Sequence, residues 1–192
     1  MTPGNQQGEG RQAQLYLRPT SLAQALRSLD VQTIDILAGG MDYYAARVGR
    51  PIAAPMLDVS AVAEMRGIAA MDGGWRIGAG ATWTDVAQAD LPPLFDGLKD
   101  CALKVVGIQV QNWGTVGGNL CNASPASDGV LALISLGTRV TFDSAAGERI
   151  MLLEDIILGK RRTQRHPNEL LTEIFIPARA PSFSSTATAA IW

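Results

Sequence analysis

The segment "NWGTVGGNLCNASPASDG", Asn112 to Gly129, constrains this chain more than any other stretch. It carries glycines at 114, 117, 118 and 129 and asparagines at 112, 119 and 122, with neither lysine nor arginine. Glycine loses more conformational freedom on folding than any other residue, so such a run needs a physical reason. It reads first as an organised polar loop. A second glycine pair lies upstream in "TIDILAGG", a β-rich run that ends at Gly39-Gly40 and leads into the helix-compatible "MDYYAARVGR". Glycine at a strand-to-helix turn permits positive φ and brings backbone close to a ligand. Successive N–H groups there form a concavity suited to an anion, helped by the positive end of the next helix. The same residues also suit a plain turn, and they fit neither a Walker loop nor a G-x-G-x-x-G fingerprint.

In "GTVGGN", the glycines surround the Thr115 hydroxyl, and Asn119 adds a carboxamide. Asn122, Ser124, Ser127 and Asp128 supply further donors and acceptors. A polar surface loop with an Asx turn at Asn122 is the competing reading. A third segment, "RIGAGATWTD", places Gly78, Gly80 and Thr82 at a strand end, as a tight β corner or as part of a site. Micromolar to nanomolar binding requires about −8 to −12 kcal/mol. A hydrogen bond to a charged group contributes about 1.5–3 kcal/mol. One glycine pair is therefore insufficient, and both loops must act together. Neither contains a cation, so backbone amides and helix ends would have to neutralise an anionic ligand.

Composition narrows the alternatives. Of the 192 residues, 47% are hydrophobic and 18% charged, which is globular usage for one large domain or two small lobes. A net charge of −2 and the absence of a long basic run argue against nucleic acid as a partner. No apolar run is long enough to span a bilayer, and the polar N-terminus lacks a secretory core, so the cytoplasm is expected. Cys101 and Cys121 match no metal or disulfide spacing and are expected to be reduced, partly buried thiols. The single histidine, His166 in "GKRRTQRHP", is expected to be a solvated loop residue rather than a metal ligand or triad member.

Along the chain, "YLRPTSLAQALRSL" predicts a short strand and a helix capped near Thr20 or Ser21, with an apolar stripe of Leu22, Ala25, Leu26 and Leu29. A strand follows in "PMLDVS", and hairpins turn at Asp72-Gly73-Gly74 and at Ala145-Ala146-Gly147. Helices are expected in "TDVAQA", "LPPLFDGLKDCALKVV" and "SDGVLALISLG", and a last strand in "ELLTEIFIP". The order is α+β. It suggests a disordered leader over 1–14, lobes over 15–60 and 61–180, and a tail over 181–192.

"LAGGMD" followed downstream by "QVQNWGTVGGNLCNASPASD" resembles the FAD-binding subunit of molybdenum hydroxylases, the family of xanthine dehydrogenase-like enzymes and the medium subunit of aerobic carbon monoxide dehydrogenase. The likeness covers most of residues 14–178, including "YLRPTSLAQAL", "RIGAGATWTDV" and "ELLTEIFIP". It implies a two-lobed FAD-binding fold of the vanillyl-alcohol oxidase (PCMH) type, with FAD between the lobes. By motif, Leu37, Ala38, Gly39, Gly40, Met41 and Asp42 would line the pyrophosphate. Gly114, Thr115, Val116, Gly117, Gly118 and Asn119 would cradle the diphosphate and flavin side, so that a branched side chain at Gly117 would block the phosphate. Ser124 and Asp128 would reach the ribose or ribityl–adenosine portion, with Ala79 and Thr82 as supplementary contacts.

The resemblance further implies an electron-transfer role. Substrate is oxidised at molybdopterin on a large partner subunit, and electrons cross two-iron two-sulfur clusters on a small partner subunit. They leave through this FAD to an external acceptor. No metal site or catalytic acid–base pair is expected on this chain. The family commonly has Thr or another small polar residue where Met41 stands, and arginine where Gln111 stands. Its members continue into a C-terminal domain where "SFSSTATAAIW" stands here, which suggests a truncated, split or degenerate copy. The alternatives are a scaffold subunit with weak or no FAD binding and a free-standing flavin reductase acting on a nucleotide-sugar.

Overall fold

The computed structural model describes residues 16–49, 54–105 and 107–178. The expected leader and tail lie outside these residues. Strands β1 (Tyr16–Leu17), β2 (Asp35–Leu37) and β3 (Met56–Asp58) form a parallel sheet in the order β1-β3-β2, with helix α1 (Leu22–Val31) on the connection from β1 to β2. Ser21 caps α1 by accepting the Gln24 N–H, and Gln24 reaches back to the Thr20 N–H. The expected apolar stripe faces inward: Ala25 and Leu29 are buried, and Leu22 and Leu26 are packed against the core. Strand β2 lies at the sheet's edge, paired on one side with β3 as far as Leu37. Helix α2 (Met41–Ala45) then begins directly after Gly40.

A second sheet is antiparallel. It contains β4 (Ile68–Met71), β5 (Gly74–Gly78), β6 (Arg139–Ser144), β7 (Gly147–Leu152) and β10 (Leu170–Pro177), in the order β4-β5-β10-β6-β7. The intervening α3 (Trp83–Gln88), α4 (Asp96–Lys104), α5 (Ile108–Trp113), α6 (Val116–Asn122) and α7 (Asp128–Ser135) connect β5 to β6. After β7 come the one-turn α8 (Leu153–Ile156) and a small hairpin of β8 (Ile157–Gly159) and β9 (Arg162–Thr163). Both hairpins turn where the glycines predicted, and β10 alternates buried and half-buried positions along "IFIP". The register of β10 shifts between Leu171 and Glu173, and the Thr172 carbonyl accepts the Ala79 N–H at 2.9 Å. This link ties the end of β5 to the middle of the sheet.

One contiguous core joins the two sheets. Leu57 and Val59 from the first sheet belong to the same buried cluster as Ile77, Val140, Phe142 and Ile174 from the second. The largest fully buried side chain is Trp83, at the start of α3, and Gly129 lies flat against its ring where no Cβ fits.

The stretch read as a polar loop is mostly helical. Residues 116–122 form α6, and α5 runs into Trp113 immediately before it. Local composition disfavours a helix here, since glycine costs about 1 kcal/mol relative to alanine. Two tertiary features override it. The Thr115 Oγ accepts the Gly118 N–H at 3.0 Å as an N-cap, and the Val116 and Gly117 N–H groups bond the carbonyls of Ala81 and Ala79.

Candidate functional site

The two glycine segments meet. Gly40 takes a left-handed conformation, φ 73° and ψ −5°, which turns the chain from β2 into α2. A Cβ on Gly39 would overlap the Trp113 carbonyl oxygen, so only glycine lets this turn seat against the junction of α5 and α6. A Cβ built on Gly118 would lie 3.9 Å from the Ala38 Cβ, across the same junction.

Between them lies a cleft of about 430 Å³. Residues 35–43 line one side, and Gly114, Thr115, Gly117, Gly118, Asn119, Cys121 and Asn122 line the other. Ala79, Val59, Met65 and Trp83 contribute to its lining, together with Leu170 and Leu171. A second hollow shares residues 37–41 with the cleft and is bordered by Tyr16, Arg18, Asp58, Ser60, Tyr44 and Trp113. Burial of Asp58 opposes its ionisation. Hydrogen bonds from Ser60 and Tyr16, with the Arg18 guanidinium 3.3 Å away, still hold its carboxyl below the ordinary value.

Of the residues expected at the site, Leu37, Ala38, Gly39, Gly40, Met41, Asp42, Ala79, Gly114, Thr115, Gly117, Gly118 and Asn119 all line this cleft. Four do not. Val116 is core, and Thr82 is buried in a capping box with Asp85 at the start of α3. Ser124 stands in a turn, accepting the Ala126 N–H at 3.4 Å and, through its carbonyl, the Ser127 N–H at 3.1 Å. Asp128 opens α7, and its side chain lies outside the described residues.

The amides of the two segments differ. At α6 they are committed: Val116 to Ala81, Gly117 to Ala79, Gly118 to the Thr115 side chain and Asn119 to the Thr115 carbonyl. Gly117 is required by packing, because a Cβ there would stand 2.6 Å from the Ala79 Cβ. The reason anticipated for that glycine, open approach of a phosphate, is therefore not the one the structure gives. The N–H groups of residues 38–43, by contrast, find no acceptor among the described residues. With the left-handed Gly40 at their centre, they form a concavity of unpaired N–H groups, a backbone shape that suits an anion. Asn119 accepts a hydrogen bond from the Ser127 hydroxyl, which leaves its amide nitrogen for the cleft.

Three cations missed by motif reasoning also line the cleft: Arg47, Arg161 and Arg165. Arg47 pairs with Asp35 at 3.0 Å and stacks 3.7 Å over the Tyr43 ring. Arg161 donates to the Asn122 carboxamide oxygen at 2.9 Å. Arg165 donates to the carbonyls of His166 and Glu169, while Glu169 forms a bidentate pair with Arg149. The hydrogen bonds from Arg149 lower the Glu169 carboxyl below its ordinary value of 4.5. Burial pushes the Cys121 thiol up to about 11 against the pull of Arg165, so it is neutral near pH 7. The signal for the last two arginines was the basic stretch "GKRRTQRHP", of which only His166 was singled out, as a solvated loop residue. Gln111 ties the chain locally, donating to the Leu103 and Val105 carbonyls.

Among the described residues no helix is long and apolar enough to cross a membrane. Residues 9–179 match the family described as the FAD binding domain in molybdopterin dehydrogenase. The chain is 34% identical to caffeine dehydrogenase subunit beta of Pseudomonas sp. (strain CBB1), an alignment that covers 84% of this chain and 57% of the relative. It is 31% identical to the glyceraldehyde dehydrogenase medium chain of Sulfolobus acidocaldarius, over 84% and 59%. Among solved structures it is similar to quinoline 2-oxidoreductase from Pseudomonas putida 86, with a TM-score of 0.79 at 26% identity, covering 88% of this chain and 60% of that one. It thus spans less than two thirds of these relatives' length. With its mixed helix and sheet architecture and its shared glycine cleft, the chain belongs to the family of FAD-binding domains of molybdopterin dehydrogenases.

Proposed function

We propose that this chain is the FAD-binding, electron-transferring part of a molybdenum hydroxylase-type oxidoreductase. The observation that carries the reading is the convergence of the 37–42 and 114–119 segments on one cleft. In this reading the lobes are 15–60 and 61–180, arranged as in the vanillyl-alcohol oxidase (PCMH) type, and the dinucleotide lies between them. The donor set suits such a ligand: free amides at residues 38–43, the Thr115 hydroxyl and the Asn119 amide for polar groups, and Val59, Met65, Leu170 and Leu171 for apolar surface. FAD, when bound, supplies the isoalloxazine ring that accepts and releases electrons. The protein's part is to bind it, orient it and tune its potential. Electrons arrive from iron–sulfur clusters on a small partner subunit, themselves supplied by molybdopterin on a large one, and leave to an external acceptor.

Expression and purification test this directly. The expected product is yellow and releases FAD on denaturation. A folded protein that stays colourless after FAD titration contradicts the reading. The complete internal pairing of the 116–119 amides favours a second reading, a scaffold subunit that keeps the fold but holds FAD weakly. Co-purification with iron–sulfur and molybdopterin partners at low flavin content distinguishes it.

A further inference from the structure

The five-stranded sheet ends on β7, and among the described residues no strand pairs with the outer edge of β7. This strand is six residues long, pairs with β6 without a break in register, and contains neither proline nor lysine. Proteins ordinarily blunt such an edge with one of those residues, with a bulge or by keeping the strand short, because its open N–H and C=O groups otherwise template a further strand. The opposite edge strand, β4, has only four residues. The hairpin fixes which groups of β7 are open. Its two-residue turn makes Ser144 and Gly147 the closing pair. By the alternation of an antiparallel ladder, the backbone groups of Glu148, Ile150 and Leu152 then point outward.

The side chains of the same three residues share one face of the sheet. Arg149 and Met151 face the core, Arg149 at 5.0 Å over the Phe142 ring and Met151 packed against the buried cluster. On the other face Ile150 is 57% and Leu152 42% exposed, and Glu148 is exposed beside them. Arg139 pairs directly opposite Leu152 and so shares that face. It too is exposed. Among the described residues, neither the Arg139 nor the Glu148 side chain has a hydrogen bond or an ion pair. The edge thus presents one acidic and two apolar side chains next to a cation that nothing neutralises.

We propose that β7 pairs edge to edge with β7 of a second copy of this chain, antiparallel about a twofold axis at Ile150, so that one continuous sheet runs through both copies. In this register Ile150 meets the partner's Ile150, Glu148 meets the partner's Leu152, and the outward backbone groups bond to one another. The partner's Glu148 then joins the row of Leu152 and Arg139. It stands two strand spacings from Arg139, about 9–10 Å at the backbone, and the two long side chains close an ion pair that each copy alone leaves open. The adjacent twofold registers lose this match. An axis at Arg149 opposes two arginines, and like charges directly opposite are destabilising. An axis at Met151 sets Glu148 against the partner's Glu154. Both copies use the same edge, so assembly closes at two chains. A seam of two strands is small beside the about 1,200–2,000 Å² of a stable interface, and the dimer therefore forms only as concentration rises. No residue between 139 and 152 lines the cleft or the hollow beside it, so the seam is separate from both.

The test is sedimentation of the full 192-residue chain over a concentration series, for wild type, Ile150→Lys, Arg139→Glu, Glu148→Arg and the double variant that swaps the two charges. Wild type is expected to pass from monomer to dimer as concentration rises. Ile150→Lys sets two ammonium groups on the axis. It and each single charge reversal should weaken association by about tenfold or more. The double variant Arg139→Glu/Glu148→Arg restores the pair with its signs exchanged, and should return to within about threefold of wild type. All three positions are exposed, and far-UV circular dichroism matching wild type confirms that each variant folds. A wild-type chain that stays monomeric at every concentration, or grows beyond two copies, overturns the proposal. So does association that Ile150→Lys leaves unchanged, which puts the contact on another surface, and so does a double variant no better than the single reversals.

Discussion

A Cβ added at Gly117 meets the Ala79 Cβ at 2.6 Å and its carbonyl oxygen at 2.8 Å, whereas at Gly118 its near neighbour is the Thr115 Oγ at 2.8 Å, with Ala38 beyond. Neighbouring glycines therefore answer to different constraints. Gly117→Ala is expected to destabilise the fold by about 1–3 kcal/mol through overpacking, read as a lower midpoint in denaturant. Gly118→Ala gains about 1 kcal/mol of helix propensity, which offsets pressure on the Thr115 cap. Its stability should stay near wild type while FAD binding weakens by about tenfold, ~1.4 kcal/mol, in a flavin titration. Glu169 gives a pH signature. Its carboxyl is lowered in the folded state, so its stabilising contribution is full above the ordinary 4.5 and is lost as pH falls through the folded value. Glu169→Gln should remove that part of the acid dependence and destabilise the protein by about 1–3 kcal/mol. Unfolding midpoints measured on both sides of pH 4.5 check the sign.

At the scale of elements, α3 and α6 begin side by side, their caps Thr82 and Thr115 joined by a β-bridge. Thr82 holds α3 in a capping box and is not among the residues that line the cleft, so Thr82→Ala should lower stability by about 1 kcal/mol without changing FAD affinity. A large loss of affinity at unchanged stability would return Thr82 to the site. Much at this scale was legible in the sequence. The Ser21 cap, the glycine hairpins and the alternation of β10 are local signals, and each element stands where they put it. α6 was not legible, because its glycines argue for a loop until Ala79 and Ala81 supply acceptors for its first amides. α5 and the β8–β9 hairpin were missed as well, the hairpin because its short strands flank a basic run with no alternating pattern.

For the whole molecule, the cleft exists because chain segments distant in sequence share a wall. The glycine motifs could be seen to need each other, since neither alone holds enough donors. What could not be seen was the division of labour between them. The 38–43 amides are open, while the 116–119 amides are closed by the same contacts that fold α6. Nor could Arg161 and Arg165 be placed, since only tertiary structure carries the hairpin to Asn122 and Ala123. Amide hydrogen exchange with and without FAD tests this arrangement most directly. Exchange at residues 38–43 should slow markedly when FAD binds, while residues 116–119 change little because they are already bonded. Stoichiometric FAD binding that leaves the 38–43 amides as fast as before would contradict it.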